Sequence, residues 1–245
     1  MSRKLRAGLR TAIAVPTFFL FTILMAGIIF VVSLVRRDAP IVDRIIRAWS
    51  RLFLATGPVS FDRPDASHID TSLQYVFVAN HLSNFDIPVM FLSIPVPIRY
   101  LAKKEVYKIP VVAQAMNAIG IIKTDRQAGM GAHALINEGV AHARERGHSL
   151  IIFPEGTRSR DGKLGPFKKG AFRIAIANGL GVVPVSIKGT WEVWPPNAKM
   201  FFPGHAEVFV HEPIATSDLT LADIDGLRDR CHATIAADLP KHLVR

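Results

Sequence analysis

A histidine and an aspartate stand five positions apart in Asn80-His81-Leu82-Ser83-Asn84-Phe85-Asp86. An imidazole can take a proton from a hydroxyl, and a carboxylate on its other ring nitrogen can hold the tautomer and balance the new charge. That chemistry is general-base activation of an alcohol. Spacing restricts how the two groups meet. On one regular helix, positions five apart are turned by roughly 140° and lie about 7.5 Å apart along the axis, so the side chains diverge. They can touch if His81 sits in a loop and Asp86 in the first turn of a following helix, with Ser83 or Asn84 as N-cap. The plain alternative for this segment alone is a surface loop with a histidine and a helix-capping aspartate.

The flanking stretches fit the first arrangement. Tyr75–Ala79 is an apolar run of strand length leading into the loop. Beyond it, Ile98–Ala102, Ile119–Lys123, Leu150–Phe153, Val182–Lys188 and Ala206–His211 also read as strands. Asp86–Leu92, Pro110–Ala118, Gly131–Arg146, Lys168–Ala177 and Leu221–Leu239 read as helices, the last with Thr220 as cap. This alternation predicts an α/β domain with a mixed, largely parallel sheet flanked by helices. Pro184, inside an apolar strand, predicts an edge position or a bulge there. Gly57–Ser72, rich in Pro and Asp, reads as a linker. The expected division is therefore an N-terminal element, 1–56, and an α/β domain, 57–245.

Charge and hydropathy set the N-terminal element apart. Of the net charge of +10, residues 1–51 hold +7, from nine Lys/Arg against two Asp. Thr11–Leu34 contains no charge at all. As a helix it is about 36 Å long, enough for a ~30 Å hydrocarbon layer. It exceeds the apolar core of a signal peptide, and no small-residue cleavage site follows. Cations flank it on both sides, so the positive-inside rule sets no orientation. Pro16 and Gly27 make a re-entrant or tilted helix an alternative to a crossing. In Ile41–Leu54, Ile41, Ile45, Ile46, Trp49, Leu52 and Phe53 share one helical face, opposite Arg44, Arg47 and Arg51. That pattern predicts an interfacial helix on an anionic bilayer; a helix docked on the soluble domain shares it. Charge concentrated beside an apolar run points to a membrane rather than to nucleic acid. The single cysteine, Cys231, allows no internal disulfide.

Several strand ends carry groups suited to an anionic substrate. Lys103 and Lys104 end the second strand, Arg126 follows the third, and Phe153-Pro154-Glu155-Gly156-Thr157-Arg158-Ser159 follows the fourth. Guanidinium and ammonium donors converging on one crevice suit a phosphate dianion. There is no Walker A loop, dinucleotide glycine fingerprint, zinc-binding His or Cys pattern, or G-x-S-x-G elbow. No metal and no cofactor is expected.

Four motifs, in order and within Tyr75–Gly189, resemble those of the lysophosphatidic acid acyltransferases, also called 1-acyl-sn-glycerol-3-phosphate acyltransferases. Asn80-His81…Asp86 is similar to N-H-x-x-x-x-D, Gly120…Arg126 to G-x-x-F-I-x-R, Phe153–Ser159 to F-P-E-G-T-R-S, and Val183-Pro184-Val185 to the closing apolar-proline motif. The second departs from the pattern, with Lys123 and Thr124 in place of the aromatic-aliphatic pair.

The resemblance implies acyl transfer from acyl-CoA or acyl carrier protein to the free hydroxyl of lysophosphatidic acid, giving phosphatidic acid. His81 would be the base and Asp86 its orienting partner. Arg126 and Arg158, with Lys103 or Lys104, would hold the phosphate, and Glu155, Gly156 and Thr157 would shape the same pocket. It also implies an N-terminal membrane anchor, with the catalytic domain on the cytoplasmic face of the inner membrane. Three other readings compete: a sibling enzyme with another acceptor, such as glycerol-3-phosphate or a lyso-aminolipid; a lipid-binding protein without turnover; and a hydrolase using Ser83 or Ser159.

Overall fold

Two helices open the computed structural model, which describes residues 2–35, 40–57, 59–124 and 129–245. The first, α1 (Arg3–Val35), contains the whole charge-free run and continues through Pro16. It is long and apolar enough to cross a membrane, by length and composition. Its sides differ. Ala7, Thr11, Ala14, Ala26, Ile29 and Ser33 are buried, whereas Leu9, Ile13, Leu20, Leu24, Val31 and Leu34 are exposed. The buried hydroxyls satisfy themselves on the helix: Thr11 donates to the Ala7 carbonyl and Ser33 to that of Ile29, at 2.8 and 2.6 Å. Small side chains let α1 approach its neighbours closely, while the bulky aliphatics point away from the protein.

The second helix, α2 (Pro40–Thr56), buries Val42, Ile46, Phe53 and Leu54. This face packs on α1 and on α3 (Asp86–Ser93), so most of the stripe expected to meet lipid is covered by protein. Arg44 and Arg51 are exposed as expected, but Arg47 is half-buried. Its guanidinium donates to the carbonyls of Phe91 and Ile94, both at 2.9 Å. Helix C-termini leave such carbonyls without intrahelical partners and carry partial negative charge, which favours a cation there. Asp43 meets Arg99, itself only 2% exposed, at 2.8 Å. Polar ties as well as apolar packing therefore hold α2 to the sheet.

Seven strands form the sheet: β1 (Val59–Phe61), β2 (Tyr75–Ala79), β3 (Ile98–Lys103), β4 (Ile122–Thr124), β5 (Ser149–Ile152), β6 (Gly181–Lys188) and β7 (Gly204–Val210). Their order is β1-β7-β6-β2-β5-β3-β4. All pairings are parallel except β6 with β7. The mixed, largely parallel sheet predicted by the β/α alternation is thus observed. Helices α4 (Pro110–Ala118), α5 (Gly129–Glu145), α6 (Gly170–Asn178), α7 (Thr190–Val193) and α8 (Ile224–Asp238) complete the fold.

The two faces of β2 enter two cores. Phe77 and Ala79 join Val183, Val185 and Ile187 beneath α2 and α3, whereas Val76 and Val78 join Leu150, Val182, Phe172 and Ile235 beneath α6 and α8. Strands covered on both faces read as continuous apolar runs, which is why β2 shows no alternation.

Several local expectations need correction. Ile119 caps the end of α4 instead of starting a strand, because Gly120 (φ 79°) turns the chain before β4. The 57–72 segment contains β1, a three-residue strand too short to stand out by pattern. Leu221–Asp223 is a 3-10 turn preceding α8, closed by a Thr220/Asp223 capping box.

Pro184 lies between β2 and β7 rather than at an edge, and it sits at a bulge-like shift of register: Val185 pairs with Val210 but Val182 with Ile214, which leaves one extra residue on the β7 side. It faces the point where β7 has ended: Val182 exchanges both backbone bonds with Ile214, and the Pro184 carbonyl accepts from His211. The ladder on that side is already irregular, so the missing N–H is tolerated.

Candidate active site

Parallel pairing places the C-terminal ends of β2, β3, β4, β5 and β6 along one edge of the sheet, where open α/β sheets keep their sites. His81 leaves β2 there, Phe153 leaves β5, and Gly189 leaves β6. Asn80 fixes the exit of β2. Its fully buried amide accepts from the Ile187 N–H and donates to the Ile187 carbonyl, both at 2.8 Å. A side chain thereby supplies one more rung after the backbone ladder ends.

His81 is then held on four sides. Its N–H donates to Glu155 Oε1 at 2.8 Å, and its carbonyl accepts from the Ser159 N–H at 2.8 Å. Its ring stacks on Phe153, with centroids 3.9 Å apart and planes within 12°. Its Nδ1 lies 2.7 Å from Asp86 Oδ2. The Nε2 atom makes no hydrogen bond among the described residues, and the side chain keeps 16% of its surface exposed. An imidazole gripped at one nitrogen and open at the other has the geometry of a proton acceptor.

Asp86 is fully buried and its oxygens are crowded with donors. Oδ2 also accepts from the N–H groups of Leu82 and Ser83, at 2.6 and 2.8 Å, and Oδ1 accepts from Thr190 Oγ1 at 2.6 Å. The chain turns back between His81 and α3, and this turn brings the carboxylate to the ring despite the five-residue spacing. Neither Ser83 nor Asn84 caps α3; the N-cap is Phe85, without a side-chain bond. Ser83 donates to the Trp194 carbonyl, and Asn84 accepts from Arg158 Nη1 at 2.6 Å.

Glu155 spends both oxygens on backbone donors, His81 N–H and Gly165 N–H at 3.1 Å. Burial pushes its carboxyl up to about 7, against the opposing pull of those two N–H groups. The unfolded chain loses this proton near the ordinary 4.5 and the native state near 7, so stability falls as pH rises across that window. The loss is roughly 3 kcal/mol at most. Glu155→Gln is expected to lower the melting temperature overall but to flatten its decline between pH 5 and 8, as read by thermal scans. An unchanged slope would assign the decline to other groups.

The remaining expected site residues are distributed as follows. Gly156 (φ 77°) sits where a Cβ would come within 2.9 Å of Lys168 Nζ, so its lack of a side chain leaves room for that cation beside the loop. Thr157 is exposed and Arg158 half-buried. Lys103 closes β3 and pairs with Thr124, and Lys104 starts the following 3-10 turn. Arg126 lies outside the described residues. Among the described residues no three His, Cys, Asp or Glu side chains gather as metal ligands.

Thr190 and Lys168 escaped the sequence reading. The only signal for Thr190 was its place directly after Gly189 at the end of β6.

An apolar groove of about 240 Å³ opens beside this centre. Ala14, Val15 and Phe18 of α1, Trp49 and Phe53 of α2, and Phe85, Ile87, Trp194 and Phe201 line it. Asn84 is one of its few polar members and also the partner of Arg158. The groove therefore runs from the membrane-type helix to the loop that carries the histidine.

Comparison with known proteins gives a consistent result. Residues 64–188 match the family model described as Acyltransferase. The 1-acyl-sn-glycerol-3-phosphate acyltransferase BAT2, chloroplastic, of Brassica napus is 36% identical over 147 residues, 60% of this chain and 42% of that protein. The 1-acyl-sn-glycerol-3-phosphate acyltransferase beta of Homo sapiens is 31% identical over 211 residues, 85% of this chain and 76% of that one. The chain thus spans less than half of the Brassica protein and about three quarters of the human one. The crystal structure of the 1-acyl-sn-glycerophosphate acyltransferase PlsC from Thermotoga maritima is similar at a TM-score of 0.82 and 25% identity, covering 97% of this chain and 96% of that one. With its family model spanning more than half the sequence and its fold matched over nearly the whole length, this chain belongs to the acyltransferase family.

Proposed function

We propose that the protein transfers a fatty acyl chain from an acyl thioester, acyl-CoA or acyl carrier protein, to the sn-2 hydroxyl of 1-acyl-sn-glycerol-3-phosphate, giving phosphatidic acid. The observation that carries this reading is the His81 ring, tied to Asp86 at 2.7 Å with Nε2 open, beside an apolar groove walled by α1 and α2.

In this reading His81 Nε2 takes the hydroxyl proton as the oxygen attacks the thioester carbonyl. Asp86 holds Nδ1–H and offsets the imidazolium charge. When the tetrahedral intermediate collapses, the C–S bond breaks and the imidazolium returns the proton to the departing thiolate. Phe153 stacks on the ring and keeps it in place, and Glu155 fixes the backbone of His81. Arg158 holds the phosphate, with Lys103, Lys104 and Arg126 as further cations of the same site. An acyl chain fits the apolar groove.

The exposed aliphatics of α1 would sit in the bilayer. That position spares the enzyme from drawing an acyl chain into water, at about 0.8 kcal/mol per CH₂. Residues 1–56 then serve as the membrane element, and the domain from 57 onward would work on the cytoplasmic face of the inner membrane.

The test is an acyl-transfer assay with purified protein in detergent or vesicles, offering lysophosphatidic acid with CoA and carrier-protein donors in parallel. Thiol release coupled to phosphatidic acid formation is expected. Release only with glycerol-3-phosphate or a lyso-aminolipid would reassign the acceptor, and no release with any acceptor would leave a lipid-binding role.

A further inference from the structure

We propose that Thr190 is a positioning residue for the reaction, its hydroxyl locking the Asp86 carboxylate so that Oδ2 faces the His81 ring. The inference rests on the general-base reading above and extends it to a residue outside the four motifs.

The torsion about a carboxylate's last bond is broad and roughly two-fold, so the side chain alone does not fix the plane of its oxygens. Nothing within Asp86 itself decides which oxygen meets the imidazole. Its surroundings do. Oδ2 carries three donors from one side, His81 Nδ1 and the N–H groups of Leu82 and Ser83. Oδ1 is held by Thr190 Oγ1 at 2.6 Å, its one donor among the described residues. Asp86 and Thr190 are both fully buried. If the hydroxyl were absent, Oδ1 would be a buried carboxylate oxygen without a donor among the described residues, and a partial turn that shares the Leu82 and Ser83 N–H groups between both oxygens would relieve part of that cost. Such a turn would move Oδ2 out of line with His81 Nδ1.

The backbone is built to deliver this hydroxyl. Gly189 has φ 80°, and a Cβ there would lie 1.8 Å from the His205 carbonyl oxygen. A glycine is therefore required for the chain to pass β7 closely and turn Thr190 towards the Asp86 turn. The hydrogen bond spans 104 residues of sequence. It links the end of β6 to the N-terminus of α3 directly, without an intervening side chain.

A merely structural tie between α7 and α3 would share this geometry, so the test must separate the two. Thr190→Val keeps shape and removes the donor; Thr190→Ser keeps the donor. Each would be made in the full chain and in an Asp86→Ala background, with kcat and KM measured for lysophosphatidic acid and for the thioester. Thr190→Val is expected to lower kcat by about 10-fold or more with both KM values within about twofold of the parent. Thr190→Ser is expected to stay within about threefold of the parent, since its hydroxyl is retained. In the Asp86→Ala background Thr190→Val should cost nothing further, because the partner is gone.

Equal losses in Val and Ser, a loss confined to KM, or a full additional loss in the Asp86→Ala background would each overturn the proposal. Should Thr190→Val fail to fold, Thr190→Cys serves instead. Its weak S–H donor predicts a kcat between those of the parent and Asp86→Ala, and a parental kcat would count against the proposal. Full turnover in His81→Ala would sink the base assignment itself. An inactive His81→Ala beside a fully active Thr190→Val would sink only the role given to Thr190.

Discussion

Replacing His81 by alanine is expected to lower turnover by at least ~10²-fold while lysolipid still binds. The reason is geometric. Glu155 and Ser159 hold the backbone of residue 81, not its side chain, so the loop keeps its path after truncation. Asp86 retains the Leu82, Ser83 and Thr190 donors, so removing the ring leaves no unpaired buried carboxylate. The fold should survive, and the loss should fall on kcat. Alanine cannot accept the hydroxyl proton, and general-base assistance contributes ~10²–10⁴ in rate. Residual transfer would reflect only the holding of two lipids in contact. Steady-state assays with lysophosphatidic acid, beside a binding measurement on the same variant, check the outcome. A His81→Ala enzyme with parental kcat would remove the imidazole from the chemistry.

Arg158→Ala is expected to act on the other constant. Its guanidinium lies 2.6 Å from Asn84 Oδ1, at the rim where the apolar groove meets the histidine loop. A phosphate dianion is a stronger partner for it than a neutral amide, through two parallel charge-assisted bonds. Such bonds are worth ~1.5–3 kcal/mol each. Losing both predicts a KM for the lysolipid about 10²- to 10⁴-fold higher, with a smaller change in kcat. Arg158→Lys should recover only part of this, because an ammonium cannot reproduce the planar fork. The thioester KM should stay close to the parent. If the lysolipid KM were unchanged and the thioester KM rose instead, Arg158 would belong to the donor's site.

The two variants also separate the readings that compete for this chain. A lipid-binding protein without turnover would lose binding in Arg158→Ala and lose nothing in His81→Ala. A hydrolase using Ser83 or Ser159 would accumulate an acyl-serine, and neither side chain is placed for it. Ser83 Oγ is engaged with the Trp194 carbonyl, and Ser159 Oγ with Asp161 and the Lys163 carbonyl.

What could be read from the sequence was whatever local chemistry encodes. The charge-free run of α1 declared a membrane-type helix, because apolarity over that length needs no knowledge of neighbours. The apolar runs of β2 and β6 declared strands, and the structure covers both faces of each. The loop residues from Asn80 to Asp86 and from Phe153 to Ser159 stood out because polar groups cluster there between apolar runs.

Tertiary structure decided the rest, wherever a residue's role depends on what lies across space. Arg47 looked like a surface cation and turned to the open carbonyls of α3. Pro184 looked like an edge or bulge residue and sits inside the sheet, at the shift of register where β7 has already ended opposite it. Glu155 stood out as a carboxylate in a motif, and only the fold shows that its oxygens accept from the His81 and Gly165 N–H groups. Thr190 carried no mark of its own, since a hydroxyl after a glycine is common and only the crossover of β6 beside β2 brings it to Asp86. Motifs name groups that can do chemistry; hydrogen bonds formed across the sheet determine which way those groups face.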